Sequence, residues 1–156
     1  MKFIYMPEHA KSTNDVLHFD TAMYNLSKLA RLEFTKLKTK IIEKHVCTRC
    51  AVSARCELHH IKPVWAYALQ AIVDQKPQSM ADVQRISSLS FHGTINIADC
   101  NQADNLRWLC HACHTEADSE AEAYWKAYFC EHYPVVFRIR DYKRFEYLLN
   151  NTGAPA

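Results

Sequence analysis

The sequence predicts an α+β chain, mostly helical with a few short strands, on three observations. Apolar residues recur at three- to four-residue steps over long stretches free of Gly and Pro, the period of an amphipathic helix. Strand-like runs are confined to short pieces beside cysteines and histidines. Only two glycines and five prolines occur in 156 residues, too few for a barrel full of tight turns. With 49% hydrophobic and 23% charged residues the chain can bury a core, and its length suits one domain with appendages. A net charge of +2 is too mild to name a polyanionic partner by itself. Nine histidines and seven cysteines are the unusual counts, and they point to metal.

The first helix is expected after Ser12-Thr13-Asn14-Asp15, a run suited to capping an N-terminus. Val16, Phe19, Met23, Leu26, Leu29, Phe34, Leu37 and Ile41 continue one face, so one long helix or two consecutive ones end before Cys47. Its second half carries Lys28, Arg31, Lys36, Lys38, Lys40 and Lys44 against Glu33 and Glu43. Such a face is either simply solvated or a surface for phosphates. Lys36, Lys38, Lys40 and Lys44 are its candidate nucleic-acid contacts, joined by Arg138 and Arg140 near the C-terminus.

Residues 47–60 read as a cysteine knuckle running into a short strand. Pro63 suits the first turn of a helix reaching Val73, and Pro77 stops it. Ser79 can cap another, carrying Met80, Val83, Ile86 and Leu89. Phe91, Ile95 and Ile97 suggest a strand or an irregular loop, and Asn105 to Leu109 a short strand. A last helix is expected from His114 to Tyr133; its acidic first half suits the positive end of the helix dipole. The expected organisation is a basic helical arm (1–45), a core (46–133) with a helical insertion at about 64–98, and a basic C-terminal extension (134–156).

Cys47 with Cys50 and Cys110 with Cys113 form two Cys-x-x-Cys pairs separated by 59 residues. Two such knuckles can bring four thiolates around one Zn²⁺, a closed set with no open position and therefore structural. Cys56, Cys100 and Cys130 read as buried small hydrophobes, Cys56 being the nearest substitute ligand. The odd cysteine count and the lack of a signal-like N-terminus or a membrane-length apolar run suggest a cytoplasmic protein with reduced thiols.

Beside the cysteines stand Glu57-Leu58-His59-His60-Ile61-Lys62-Pro63 and Asp104-Asn105-Leu106-Arg107-Trp108-Leu109-Cys110-His111-Ala112-Cys113-His114. Singly, each histidine has a structural explanation; together, zinc ligation would bring His114 beside the two-histidine strand. In that order the two elements resemble the HNH (His-Asn-His) nuclease family over about residues 45–64 and 100–132. The resemblance implies a ββα-metal, treble-clef-like core stapled by the four-cysteine zinc, and endonuclease or nickase activity on double-stranded DNA. It implies that His60 is the general base, that His59 and His114 bind a catalytic divalent ion, and that Asn105 braces the connecting loop and the base. Asp118, one helical turn beyond His114, is a further candidate ligand. The ion is left open among Mg²⁺, Mn²⁺, Ni²⁺ and Zn²⁺.

One departure matters. Between His60 and Asn105 lie 44 residues where the family commonly has a short loop. The excess is expected to be an appended element outside the core, serving specificity or a protein partner. The rival readings are a zinc-containing module that binds nucleic acid without cleaving it, and a structural zinc protein that binds a partner through the insertion.

Overall fold

The computed structural model describes residues 13–40 and 45–132. Helix α1 (Thr13–Lys40) comes first. Strand β1 (His45–Val46) pairs antiparallel with β2 (Ser53–Ala54) across the first cysteine knuckle. Strand β3 (Glu57–His60) follows, then α2 (Val64–Asp74) and α3 (Met80–Phe91). Two 3-10 turns (Ala98–Asn101, Ala103–Asn105) lead into β4 (Leu106–Leu109), and α4 (His111–His132) begins almost at once. Strand β4 returns antiparallel to β3, setting His59 opposite Arg107 and His60 opposite Leu106. The described chain is thus mixed α and β, mostly helical, with two small two-stranded sheets.

Helix α1 turns Phe19, Ala22, Met23, Leu26 and Ala30 inward at the expected three- to four-residue spacing. They meet Ala66, Leu69, Ile72 and Val73 of α2 and Val83 and Ile86 of α3 in one buried cluster. The segment 64–98, expected as an appendage, therefore supplies much of the main core. The physical reason is simple: α1 has an apolar face too long for the short β3–β4 sheet to cover. Phe129, near the end of α4, enters the same cluster and anchors that helix to the other three.

Pro63 stands at the N-cap of α2 with φ −62°, and the Ser79 side chain caps α3 by accepting from the Asp82 N–H. Between Phe91 and Ile97 no strand forms. Gly93, at φ +76°, closes α3 instead: Gly93 N–H donates to the Ser90 carbonyl and Thr94 N–H to that of Leu89. Helix α4 starts three residues earlier than the acidic run suggested, so Cys113 and His114 ride in its first turn. None of the described helices is long and apolar enough to cross a membrane.

Candidate metal centre and its histidine cleft

The first knuckle is a tight turn. Ala51 N–H bonds back to the Cys47 carbonyl at 2.9 Å, and Ala51 itself sits in the left-handed region at φ 63°. Thr48 ties the knuckle to β4, donating to the Trp108 carbonyl from its backbone N–H at 3.0 Å and from its hydroxyl at 3.2 Å. That tie delivers Cys47 and Cys50 to Cys110, at the end of β4, and to Cys113 in α4. The four sulfurs lie within 4.8 Å of one another.

Sulfurs held at about 2.3 Å around a tetrahedral zinc are about 3.8 Å apart along each edge. The Cys50 and Cys110 sulfurs are separated by 3.8 Å. This is the spacing of ligands around an ion, far longer than a disulfide. The backbone N–H of Cys50, helped by those of Cys110 and Arg49, draws the Cys47 thiol down to about 6. Cys113, donating to the Cys110 sulfur and partly desolvated, is pushed up to about 12. Four thiolates so close repel one another unless a cation replaces their protons. The cluster fits a metal such as zinc.

Along β3 successive side chains alternate faces, and the alternation sorts the histidines. Glu57 and His59 face α4. His59 is buried, and its Nδ1 donates to Asp118 Oδ1 at 2.9 Å. Burial lowers the His59 pKa, with Asp118 opposing, so the ring favours the neutral form that ligates metals. His114 Nδ1 donates to Glu57 Oε2, while its Nε2 lies 3.4 Å from Asp118 Oδ2. Both ring nitrogens of His114 thus face carboxylate oxygens, an arrangement that a proton or a cation at Nε2 would satisfy. The ligand atoms of His59, His114 and Asp118 all lie within 4.8 Å of one another.

Glu57 and His111 were not singled out from the sequence. Glu57 spans His114 on one oxygen and His111 Nδ1, at 3.0 Å, on the other. These two hydrogen bonds, that of His114 first, hold its carboxyl below the usual carboxylate range. A carboxylate behind a ligand histidine fixes its tautomer and raises its basicity. The available signal was position: Glu57 is two residues before His59, hence on the same strand face.

His60 faces the other way. Its ring lies against Phe34 of α1, centroids 4.3 Å apart, and its Nε2 meets Asn101 Oδ1 at 2.8 Å. A cleft of about 360 Å³ is lined by Phe34, His60 and Pro63 together with Glu57, His114 and Asp118, so the two faces of β3 meet there. Asn105 is buried and does one of its two expected jobs. Its Oδ1 accepts from Lys62 N–H at 2.8 Å, and its Nδ2 donates to the carbonyls of Lys62 (3.1 Å) and Cys100 (2.8 Å). It braces the loop after β3; the His60 ring is met by Asn101.

Of the basic candidates, Lys36 is exposed on α1. The backbones of Lys38 and Lys40 lie in α1, but their side chains, and the whole of Lys44, Arg138 and Arg140, fall outside the described residues. Cys100 is buried as expected, its thiol pushed up to about 11 by burial.

No family model, curated protein or solved structure matches this chain. The site must be read from its own chemistry. Four sulfurs form a closed, soft donor set. Two imidazoles and one exposed carboxylate form an open, harder one, suited to a divalent cation that keeps water positions.

Proposed function

We propose that the chain is a metal-dependent endonuclease or nickase of the HNH type that hydrolyses DNA phosphodiester bonds, its ββα-metal core made by β3, β4 and α4. The observation that carries this reading is the convergence of His59, His114 and Asp118 within 4.8 Å beside a cleft that His60 also lines. In this reading His60 takes the proton from the attacking water, as a neutral imidazole can near neutral pH. His59, His114 and Asp118 hold a divalent cation, and Glu57 keeps the His114 ring turned toward it. When bound, that cation supplies charge stabilisation to the phosphoryl and leaving oxygens. Asn105 keeps the loop after His60 from drifting. The two imidazoles favour Ni²⁺ or Zn²⁺ and the carboxylate with water favours Mg²⁺ or Mn²⁺, so the ion stays open among the four. The four-cysteine site holds a structural Zn²⁺. Exposed Lys28, Arg31 and Lys36 along α1 support contact with phosphates. DNA is preferred to RNA on the sequence resemblance alone.

The test is nicking of supercoiled plasmid with each divalent ion, by the wild type and by His60→Ala. Metal-dependent nicking is expected, with His60→Ala slower by roughly 10²–10⁴ and DNA binding largely kept. Tight, salt-dependent DNA binding with no cleavage by any ion would replace the enzyme with a binding module.

A further inference from the structure

Asn101 lies in the 3-10 turn before β4 and joins two elements distant in sequence. Its Nδ2 donates to the Ala30 carbonyl of α1 at 2.8 Å, and its Oδ1 meets His60 Nε2 at 2.8 Å. The amide cannot be turned round. The Ala30 carbonyl only accepts, so the NH₂ must face it, and the oxygen must face the ring. An amide oxygen also only accepts, so His60 Nε2 must carry a proton. In the neutral ring, Nδ1 is then the accepting nitrogen.

Two further observations fix this bridge in place. Phe34, one helical turn beyond Ala30 on the same face of α1, lies against the His60 ring, centroids 4.3 Å apart. Asn105 grips the carbonyl of Cys100, the residue before Asn101, so the turn carrying Asn101 cannot slide along β3. Ala30 and Cys100 are buried in the main core. The ring is therefore held on one side by helix and core rather than by solvent.

We infer that Asn101 is a positioning residue for His60: it sets the imidazole's orientation and its Nε2-protonated tautomer, and it borrows its own rigidity from α1 through the Ala30 carbonyl. The role as a base rests on the function proposed above; the tautomer and its dependence on Asn101 do not. On this account α1 is part of the machinery that aims the base, beyond any contact its lysines make with phosphate.

The test uses the full-length, zinc-loaded protein labelled with ¹⁵N in histidine, at about pH 8 where an imidazole is neutral. Long-range ¹H–¹⁵N correlations report which ring nitrogen of His60 is protonated. Wild type should show a protected Nε2–H and an unprotonated Nδ1. Asn101→Ala should lose that protection, whereas Asn101→Asp, which keeps an acceptor for the ring but loses the donor to Ala30, should keep Nε2 protonated with weaker protection. In single-turnover cleavage Asn101→Ala should fall about 10²-fold, with divalent-ion affinity little changed. His60 protonated on Nδ1 in the wild type would overturn the inference. So would an unchanged His60 signal in a folded Asn101→Ala. Should Asn101→Ala not fold, the wild-type tautomer and the Asn101→Asp spectrum still decide it. The predicted signals in a protein that cleaves no nucleic acid would leave the positioning standing and sink the nuclease reading.

Discussion

The four cysteines and the His59–His114–Asp118 group sit on the same two stretches of chain, residues 47–60 and 110–118, and are built on opposite terms. The sulfurs are placed by backbone hydrogen bonds, from Cys47 N–H to Val52 and from Thr48 N–H to Trp108. Their set of four is complete. The histidine group is placed by side chains, Glu57 above all, and its third donor belongs to Asp118, whose side chain is 60% exposed. It is open to water. One closure of the chain thus yields a closed donor set and an open one.

The comparison is broken most severely at the sulfurs. Cys110→Ser, or a strong chelator, should abolish cooperative unfolding measured by circular dichroism, since a zinc site of this kind carries binding energy of about 10 kcal/mol. His114→Ala should cost no more than about 1 kcal/mol in the same experiment, as expected of a partly exposed side chain. Equal losses would remove the distinction.

Next come the helices that support both sites. Leu69→Ala or Ile86→Ala should each cost about 2–5 kcal/mol in urea unfolding, because both side chains are completely buried. Replacing residues 66–98 by a linker should then prevent folding, contrary to the sequence expectation of a dispensable appendage. A shortened protein that folds and still binds zinc would restore that expectation.

A smaller effect sharpens the picture of α1. Burial pushes the Asp20 carboxyl up to about 7, and its Oδ1 finds no hydrogen-bond partner among the described residues. A carboxyl pKa raised by folding means the folded state binds the proton more tightly. Stability from this group is therefore full below the ordinary value of 3.8 and falls as pH rises toward about 7. Asp20→Asn should flatten that fall and stabilise the protein at pH 8 by about 1–2 kcal/mol, reduced from the full shift by the carboxyl's partial exposure. A variant with the wild-type pH profile would show that Asp20 is solvated.

The smallest expected change is at the knuckle. Ala51 occupies the left-handed region at φ 63°, which costs a residue with a Cβ about 1–2 kcal/mol. Ala51→Gly should relieve part of this, raising stability by about 0.5–1 kcal/mol after glycine's own entropy is subtracted. A loss of stability would mean the Ala51 methyl is packed.

What the sequence made legible follows from periodicity and spacing. The inward face of α1, the cap at Ser79 and the two cysteine pairs are local patterns that survive into three dimensions; the grouping of His59, His114 and Asp118 came from the family resemblance, with spacing contributing only the helical turn from His114 to Asp118. Asn101 was not legible. It lies in a non-periodic turn, and its partners, Ala30 and His60, are 71 and 41 residues away. Gly93 ended α3 and decided between the strand and the irregular loop that Phe91, Ile95 and Ile97 left open, because a left-handed cap is decided by one residue and an alternating pattern by several. The place of α2 and α3 in the core was hidden for another reason: an insertion is defined by comparison with a family pattern, while burial is decided by which apolar faces need covering.

The proposed division between a holding site and a reacting site is tested most directly by counting metal and cleavage together in His114→Ala. The variant should keep one tightly bound zinc per chain and its fold. It should cleave DNA far more slowly than wild type, with partial recovery as Mg²⁺ or Mn²⁺ is raised. Loss of the cysteine-bound zinc, or cleavage at the wild-type rate and metal concentration, would contradict the account.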